Sequence, residues 1–301
     1  MSSRLFKGFN LSVNYAKYRV SPPQQLIEAI VEYLAQGSKT TGKWNAAVDV
    51  GCGSGQATRL LAPYFERVHG FDVSETQIKE AIGSNTCSNV EYKVAVAESM
   101  PVKDKSVQLI AASEAAHFFN LPKFYKEVER VSVSNGVLAI FGYKFPRIYS
   151  PTNDDSGELN YILGNVYNDP LLSKYTSSKA RSIMIHGYEK WRLPFKDFKK
   201  IENEFSTTVD VSVEDIMGLI RTFSNFNECL KHNPHDADAV LKKFKKRLKH
   251  LLGQSYSRSV SPAESLPLND KSVNLVVASV AAHYFDRPKF YEETERILQE
   301  N

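Results

Sequence analysis

Residues 46–55 read AAVDVGCGSG, and their pattern is the strongest indication of the fold. A short apolar run that ends in closely spaced glycines predicts a strand followed by a tight turn. The next residues, QATRLLAPYF at 56–65, have the apolar spacing of a helix. A second apolar run, RVHGFDVS at 67–74, contains Asp72, which lies 21 residues after Gly51. These features predict a strand, a turn, a helix and a second strand that ends near an acidic side chain.

The alternation of strands and helices continues to about residue 145. Further strands are predicted at NVEYKVAVA (89–97), SVQLIAAS (106–113) and GVLAIFGY (136–143), and helices at QQLIEAIVEYLAQ (24–36), ETQIKEAIG (75–83) and LPKFYKEVERV (121–131). Alternation at this spacing is typical of right-handed βαβ units. We therefore predict an α/β fold with a doubly wound, mainly parallel sheet.

The glycine spacing indicates the type of cofactor. Dinucleotide sites use GxGxxG and bring a diphosphate to the helix N-terminus, whereas this turn is GxGxG and has Asp49 two residues before its first glycine. A carboxylate there opposes a diphosphate but suits the ammonium and sulfonium of S-adenosylmethionine, and Asp72 can accept hydrogen bonds from a ribose. The sequence contains no GKS or GKT, which excludes a P-loop. The alternative is a tight turn without a ligand.

Composition and charge restrict the class of protein. The chain has 301 residues, 42% hydrophobic and 24% charged, with a net charge of +4, as in an ordinary globular protein. The modest charge argues against a nucleic-acid partner. Apolar runs long enough to span a membrane and an N-terminal signal are both missing, which predicts a cytoplasmic protein. Three cysteines without a CxxC pair favour a reducing compartment and no metal site.

Much of the basic excess lies in LKKFKKRLKHLL at 241–252. Its apolar residues recur at helical spacing, so we predict a helix whose lysines face water. A helix on a membrane surface is the alternative interpretation.

One segment occurs twice in the chain. Residues 263–297 match residues 97–131 without a gap at 22 of 35 positions. We therefore divide the chain into an N-terminal cofactor-covering segment and helix (1–40), a cofactor-binding core (41–145), a cap and return to the sheet (146–255), and a partial duplication of residues 90–135 (256–301). The second copy has no glycine-rich loop before it and cannot be a complete second cofactor domain.

The sequence resembles the class I S-adenosylmethionine-dependent methyltransferases of the methyltransferase type 11 superfamily. VDVGCGSG is similar to their first motif, FDVS to their acidic second-strand motif, and AESMPVKDKSVQLIAAS to the segment that runs into the fourth strand. VNYAKYRVSPP, ASEAAHFFN, LAIFGY and SVEDIMGLIRTFS resemble the trans-aconitate methyltransferase group, over about residues 10–250. The resemblance implies a Rossmann-like fold with a helical cap and S-adenosylmethionine as cofactor.

The resemblance also implies roles for individual residues. Gly51, Gly53 and Gly55 would line the methionine part of the cofactor, and Asp49 would orient it. Asp72 would hold the ribose, Val73 would pack on the adenine, and Ala97 and Glu98 would contact the adenine edge. Val96 departs from the pattern, because many relatives have an aspartate there.

Two further groups of residues are implied. Tyr15, Tyr18 and Arg19 belong to a segment that folds over the cofactor in the family, although a surface helix with packing tyrosines is an equal alternative. His117 and Tyr143 follow the fourth and fifth strands at the edge where open α/β sheets bind ligands, and we expect them at the reaction centre.

The methyl acceptor is expected to be a small molecule. Its functional group is a carboxylate, a hydroxyl or an amine. A carboxylate acceptor needs no general base, and Tyr175, Arg181 and Trp191 of the cap are candidates for holding it. A hydroxyl or amine acceptor would need a base, for which His117 is the first candidate. We expect a monomer that does not bind membranes.

The end of the sheet carries a second hypothesis. FSTTVDVSV at 205–213 alternates like a strand, and Ser212 and Asp215 resemble the capping box of the helix that follows. In the family a last strand then completes the sheet, and SVNLVVASV at 272–280 in the copied segment is the run able to do so. Otherwise the chain is a catalytically impaired paralogue that binds cofactor, or an interaction protein.

Overall fold

The structure is a computed structural model that describes residues 17–37, 40–148 and 156–251, with short gaps at 177, 179–180, 183–185, 187, 189–190, 192, 196 and 203, together with residues 289, 292, 295 and 296. The chain consists of two compact units, which span Met1–Leu248 and Lys249–Asn301. The copied segment, including its predicted strand at 272–280, lies almost entirely outside the described residues. The same holds for Tyr15.

The described core is a sheet whose strands are connected by helices. Its elements are α1 (Gln24–Gly37), β1 (Trp44–Val50), α2 (Gln56–Leu61), β2 (Phe65–Asp72), α3 (Glu75–Gly83), β3 (Val90–Val94), β4 (Val107–Ser113), α4 (Leu121–Val131) and β5 (Ser132–Phe141). Short 3-10 turns at Ala62–Tyr64 and Ala116–Phe118 follow α2 and β4. Every strand and helix that the sequence predicted between residues 24 and 145 is present.

All five described strands are parallel, in the order β3-β2-β1-β4-β5. The chain runs outward from β1 to β3 and then returns to the other side of β1 with β4, so the strand order reverses between β1 and β4. Ligands of open α/β sheets bind at such a switch point, outside the carboxyl ends of the strands. The prediction of a doubly wound, parallel sheet is confirmed.

Helices cover both faces of the sheet. Successive side chains of a strand point to opposite faces, so neighbouring residues of β1 and β4 enter two separate apolar clusters. The first cluster includes Ala47, Leu109, Leu61, Ile78 and, from α1, Ile27, Val31 and Leu34. The second includes Val48, Ile110, Phe71 and, from α4, Phe124, Val128 and Val131.

The described chain continues with α5 (Ser156–Tyr167), α6 (Pro170–Ser173), α7 (Val213–Ile220), α8 (Ser224–His232) and α9 (Pro234–Leu251). The capping box at the start of α7 is present: the Ser212 hydroxyl accepts from the Asp215 backbone N–H, and the Asp215 carboxylate accepts from the Ser212 backbone N–H. In α9, Leu241, Phe244 and Leu248 are buried, as predicted. Its lysines pair with carboxylates at Lys242–Asp238, Lys243–Asp169 and Lys245–Glu214.

One predicted strand is wrong. Residues 205–212 have no regular secondary structure, and Val209 and Val211 are each 50% exposed. A strand needs a neighbour to take its backbone hydrogen bonds, and within the described residues none lies beside this segment. The segment ends where Ser212 becomes the cap of α7.

Among the described residues, no helix has both the length and the apolar character needed to cross a membrane.

Candidate active site

The glycine-rich turn after β1 is held by the neighbouring strand. The backbone N–H groups of Gly51 and Cys52 both donate to the carbonyl oxygen of Phe71 in β2, at 2.7 and 3.0 Å. Gly51 has φ +69°, and a Cβ there would collide with the side chain of Ala115 after β4. Only glycine has both this backbone conformation and no side chain, so the turn can lie directly against the end of β4.

Gly53 has a different environment. Its φ is +55°, yet a Cβ built there would meet nothing within 4 Å. The backbone of Gly53 therefore faces open space, as expected of a surface that a ligand approaches closely.

Asp72 connects the end of β2 to the turn. Its Oδ2 accepts from the Gly53 backbone N–H at 3.0 Å, and its Oδ1 accepts from the Ser74 backbone N–H at 2.8 Å. Burial raises the pKa of this carboxyl group, while the backbone hydrogen bonds oppose the rise. The carboxylate lines the cleft described below and so has the position that a ribose-binding group requires.

Asp49 is completely buried in β1 beneath the turn. Its Oδ2 accepts from the Thr58 hydroxyl at 2.6 Å, and its Oδ1 has no hydrogen-bond partner among the described residues. Burial is the main cause that raises its pKa to about 7. A buried carboxylate with an unused oxygen is costly unless a ligand, a cation or a proton compensates it.

A cleft opens at the carboxyl ends of β1, β2, β4 and β5. It contains about 1050 Å³ of empty space when its open mouth is included. The lining residues that the sequence predicted for the cofactor or the reaction are Arg19, Gly51, Gly53, Asp72, Val73, Ala97, Glu98 and Tyr143. Lining residues that sequence reasoning missed include Gln56, Gln77, Glu114, Phe118 and Phe119.

The polar groups of the cleft fit a nucleoside cofactor. Ser54 Oγ and Gln77 Oε1 are buried, line the cleft and have no hydrogen-bond partner among the described residues. The Glu98 carboxylate is fixed because its Oε1 accepts from the Asn120 backbone N–H at 2.6 Å. Apolar side chains, among them Val73 and Phe119, form the rest of the wall and suit a purine ring.

Arg19 joins three parts of the molecule around the cleft. Its Nε donates to Thr222 Oγ1 and its Nη1 donates to the Tyr143 hydroxyl, each at 2.8 Å. Its carbonyl oxygen accepts from Gln56 Nε2 at 3.0 Å. The guanidinium also lies over the Phe223 ring, 5.6 Å from its centre. The segment before α1 is thereby attached to the start of α2 and the end of β5.

Tyr18 lies beside α7 rather than in the cleft wall. A Cβ at Gly218 would collide with the Tyr18 ring, so the ring packs directly on the backbone of α7. This contact agrees with the alternative in which the tyrosine has a packing role, while Arg19 lines the cleft.

Glu114 is the group that the sequence analysis missed. It follows β4 with φ +53°, a left-handed conformation that is rare for a side-chain-bearing residue. Its Oε1 accepts from the Tyr143 backbone N–H at 2.6 Å. Burial raises its pKa to about 7, although the Arg19 charge opposes the rise. The second copy of the segment has Val280 at the corresponding position.

The other predicted acceptor residues do not line the cleft. His117 Nδ1 is 3.1 Å from the Tyr188 hydroxyl, and the Tyr188 ring packs edge-on against Trp191 with ring centres 4.8 Å apart. Tyr175 stacks on His232 of α8, with ring centres 5.8 Å apart. The charge of Arg181 acts on the phenol of Tyr167. His117, Tyr175 and Trp191 thus make aromatic contacts outside the cleft wall.

Comparison with known proteins agrees with this site. The sequence profile of the family described as methyltransferase domain matches residues 48–140 and 227–301, more than half of the chain. A methyltransferase of Dictyostelium discoideum is 30% identical over 241 residues, which cover 78% of this chain and 85% of that protein. The chain belongs to this methyltransferase family.

Two further relatives of this methyltransferase extend the comparison. CRG1 of Saccharomyces cerevisiae, named as an S-adenosylmethionine-dependent methyltransferase, is 29% identical over 245 residues, 76% of this chain and 80% of that protein. The solved structure of a type II methyltransferase from Anaeromyxobacter dehalogenans has a TM-score of 0.58 and 26% identity, and the match covers 78% of this chain and 90% of that chain. The protein is an S-adenosylmethionine-dependent methyltransferase, as its glycine-rich turn predicted.

Proposed function

We propose that this methyltransferase transfers a methyl group to a carboxylate oxygen of a small-molecule acceptor, as in the trans-aconitate methyltransferase group that its sequence resembles. The observation that carries the proposal is the Arg19–Tyr143 pair in the wall of the cofactor cleft. A guanidinium beside a phenolic hydroxyl can orient a carboxylate through charge-assisted hydrogen bonds, which are the strong ones.

The shape of the cleft supports a small acceptor. It is concave, and most of its exposed surface is apolar and includes aromatic side chains such as Phe118 and Phe119. These are the properties of small-molecule sites.

His117, the first candidate base for a hydroxyl or amine acceptor, lies outside the cleft wall. A neutral acceptor would need a base within hydrogen-bond distance, and His117 was the first candidate. Its Nδ1 is instead directed to the Tyr188 hydroxyl, and the residue does not line the cleft. A carboxylate is already deprotonated at neutral pH and needs no such base.

The protein contributes orientation and exclusion of water. S-adenosylmethionine, when bound, supplies a methyl group already activated by the sulfonium. Arg19 and Tyr143 would hold the acceptor so that one of its oxygens faces that methyl group. Fixing two reactants in this way supplies much of the rate enhancement in such transfers. We assign the acceptor to this pair rather than to Tyr175, Arg181 and Trp191, because those three side chains lie outside the cleft wall.

The test is methyl transfer from S-adenosylmethionine labelled in its methyl group to a panel of mono-, di- and tricarboxylic acids. Methyl esters release labelled methanol in alkali, whereas methyl ethers and methylamines do not. We expect alkali-labile product, and we expect Arg19→Gln and Tyr143→Phe to lower kcat/KM at least tenfold. Arg221→Gln is the matched control, because it removes an equal charge from an exposed side chain next to Thr222.

Each other outcome has a definite meaning. An alkali-stable product would refute the carboxylate assignment and return His117 to consideration. Full cofactor binding without any transfer would favour the impaired paralogue instead.

A further inference from the structure

Glu114 has a conformation that is fixed by contacts with the backbone. Its own N–H donates to the Phe141 carbonyl oxygen at 2.9 Å, and its Oε1 accepts from the Tyr143 N–H at 2.6 Å. Glu114 is thus attached to the end of β5 at two points, once through its backbone N–H and once through its side chain. The left-handed φ of +53° costs energy for a residue with a side chain, so the surrounding structure must hold it there.

Gly142 makes room for this carboxylate. A Cβ at Gly142 would collide with Glu114 Oε1, so any other residue would displace the acid. The glycine at position 142 therefore leaves the space between the ends of β4 and β5 that the Glu114 carboxylate occupies.

The second carboxylate oxygen is available to a ligand. Glu114 lines the cleft, and Oε2 has no hydrogen bond or ion pair with any described residue. Among the cleft carboxylates, Asp72 accepts backbone N–H groups with both of its oxygens, whereas Glu114 and Glu98 each accept from one backbone N–H group. Glu114 therefore keeps its second carboxylate oxygen for a ligand, on the side of the cleft next to the glycine-rich turn.

The position of Glu114 indicates which part of the cofactor it meets. Its neighbour Ala115 touches Gly51, so Glu114 lies next to the turn expected to hold the methionine end. On its other side is Tyr143, proposed above to hold the acceptor. A group between the turn and the acceptor wall lies near the sulfur, because the methyl on sulfur must face the acceptor.

We propose that Glu114 recognises the positive charge on the sulfur of S-adenosylmethionine, and so makes the chain prefer this cofactor to S-adenosylhomocysteine, whose sulfur is neutral. The proposal rests on the cofactor and on the acceptor side assigned above. Glu114 would then help the methyltransferase to retain S-adenosylmethionine before the reaction and to release S-adenosylhomocysteine after it.

The experiment is calorimetric titration of the full chain and of Glu114→Gln with S-adenosylmethionine and with S-adenosylhomocysteine at pH 8. A unit charge at about 5 Å in a partly solvated site changes affinity by at least about tenfold. We expect Glu114→Gln to weaken S-adenosylmethionine binding about tenfold more than S-adenosylhomocysteine binding. Glu129→Gln, an equal charge change on the exposed face of α4, should leave both affinities unchanged.

A second measurement varies the pH. Because the pKa of Glu114 is raised to about 7, its carboxylate becomes protonated between pH 8 and pH 6. The preference of the unmodified chain for S-adenosylmethionine should fall several-fold over this range and stay constant in Glu114→Gln. The other titratable or charged groups around the site are Arg19, Tyr143, Tyr188, Cys52, Asp72, Glu98 and, below the turn, Asp49.

The outcomes separate this proposal from the proposed function. Equal weakening of both ligands would place Glu114 at the ammonium or in the fold and overturn the proposal, as would unchanged affinities. Binding of neither ligand by the unmodified chain would overturn it as well. A preserved charge preference together with failure on every carboxylic acid would support Glu114 and reject only the acceptor assignment.

Discussion

The buried Asp49 makes a quantitative prediction about stability. Its pKa is raised from 3.8 to about 7 in the folded chain, so between these values the folded state holds one more proton than the unfolded state. The free energy of unfolding therefore falls as the pH rises through this window, by about 1.4 kcal/mol per pH unit. The contribution of Asp49 protonation to the free energy of unfolding is fully present below pH 3.8 and is lost by about pH 7. The total loss over this window is ~4 kcal/mol.

Asp49→Asn removes this proton uptake but can still accept from Thr58. The assay is urea unfolding followed by tryptophan fluorescence between pH 5 and pH 8. We expect the variant to show a shallower pH dependence than the unmodified chain, by about 1.4 kcal/mol per unit up to pH 7. The slope is the quantity to compare, because the new amide N–H adds a constant cost of about 1–3 kcal/mol if it finds no acceptor.

Asp210→Asn, at an exposed site, is the control and should keep the slope of the unmodified chain. Identical slopes in Asp49→Asn and the unmodified chain would refute the reasoning. Asp49 would then be charged in the folded state and compensated by another group.

The remaining predictions concern the turn and the core. Gly51→Ala should destabilise the chain by about 2 kcal/mol or more, because it combines a positive φ with a collision against Ala115. Gly53→Ala should cost about 1 kcal/mol of stability and mainly weaken cofactor binding. Thermal unfolding measures the loss of stability in each variant, and calorimetry measures the loss of cofactor affinity. Asp72→Ala should lower S-adenosylhomocysteine affinity at least tenfold by leaving the Gly53 N–H without its acceptor, and unchanged affinity would contradict the ribose assignment. Phe124→Ala, on the buried face of α4, should lower the free energy of unfolding by about 3–5 kcal/mol in urea. A loss below 1 kcal/mol would contradict the complete burial of Phe124.

The fold was predictable because its signals are local. Residues 121–131 carry a helical apolar spacing, a proline in the first turn and Asn120 as the cap, and the helix has the predicted bounds. The segment at 205–213 failed because alternation of apolar residues is also compatible with an exposed, extended chain. A strand depends on a neighbour that the segment's own residues do not specify.

The cofactor side of the site was more predictable than the acceptor side. A glycine turn and an acid at the next strand end depend on a few adjacent residues, and the structure brings Gly53 and Asp72 into contact. Tyr175, Arg181 and Trp191 were chosen by residue type, but tertiary packing decides whether such side chains reach a cleft. Glu114 was missed because its environment comes from Gly142 and the end of β5, far away in the chain.

The hydrogen bond from Gly53 to Asp72 has a thermodynamic consequence. The chain's own hydrogen bonds fix the shape of the turn, because strand β2 holds it through Phe71 and Asp72. The conformational entropy lost in ordering this loop is therefore a cost of folding and does not reduce the affinity for the cofactor. Association can then proceed without waiting for the loop to close, and the Gly53 amide should be protected from hydrogen exchange even before the cofactor binds.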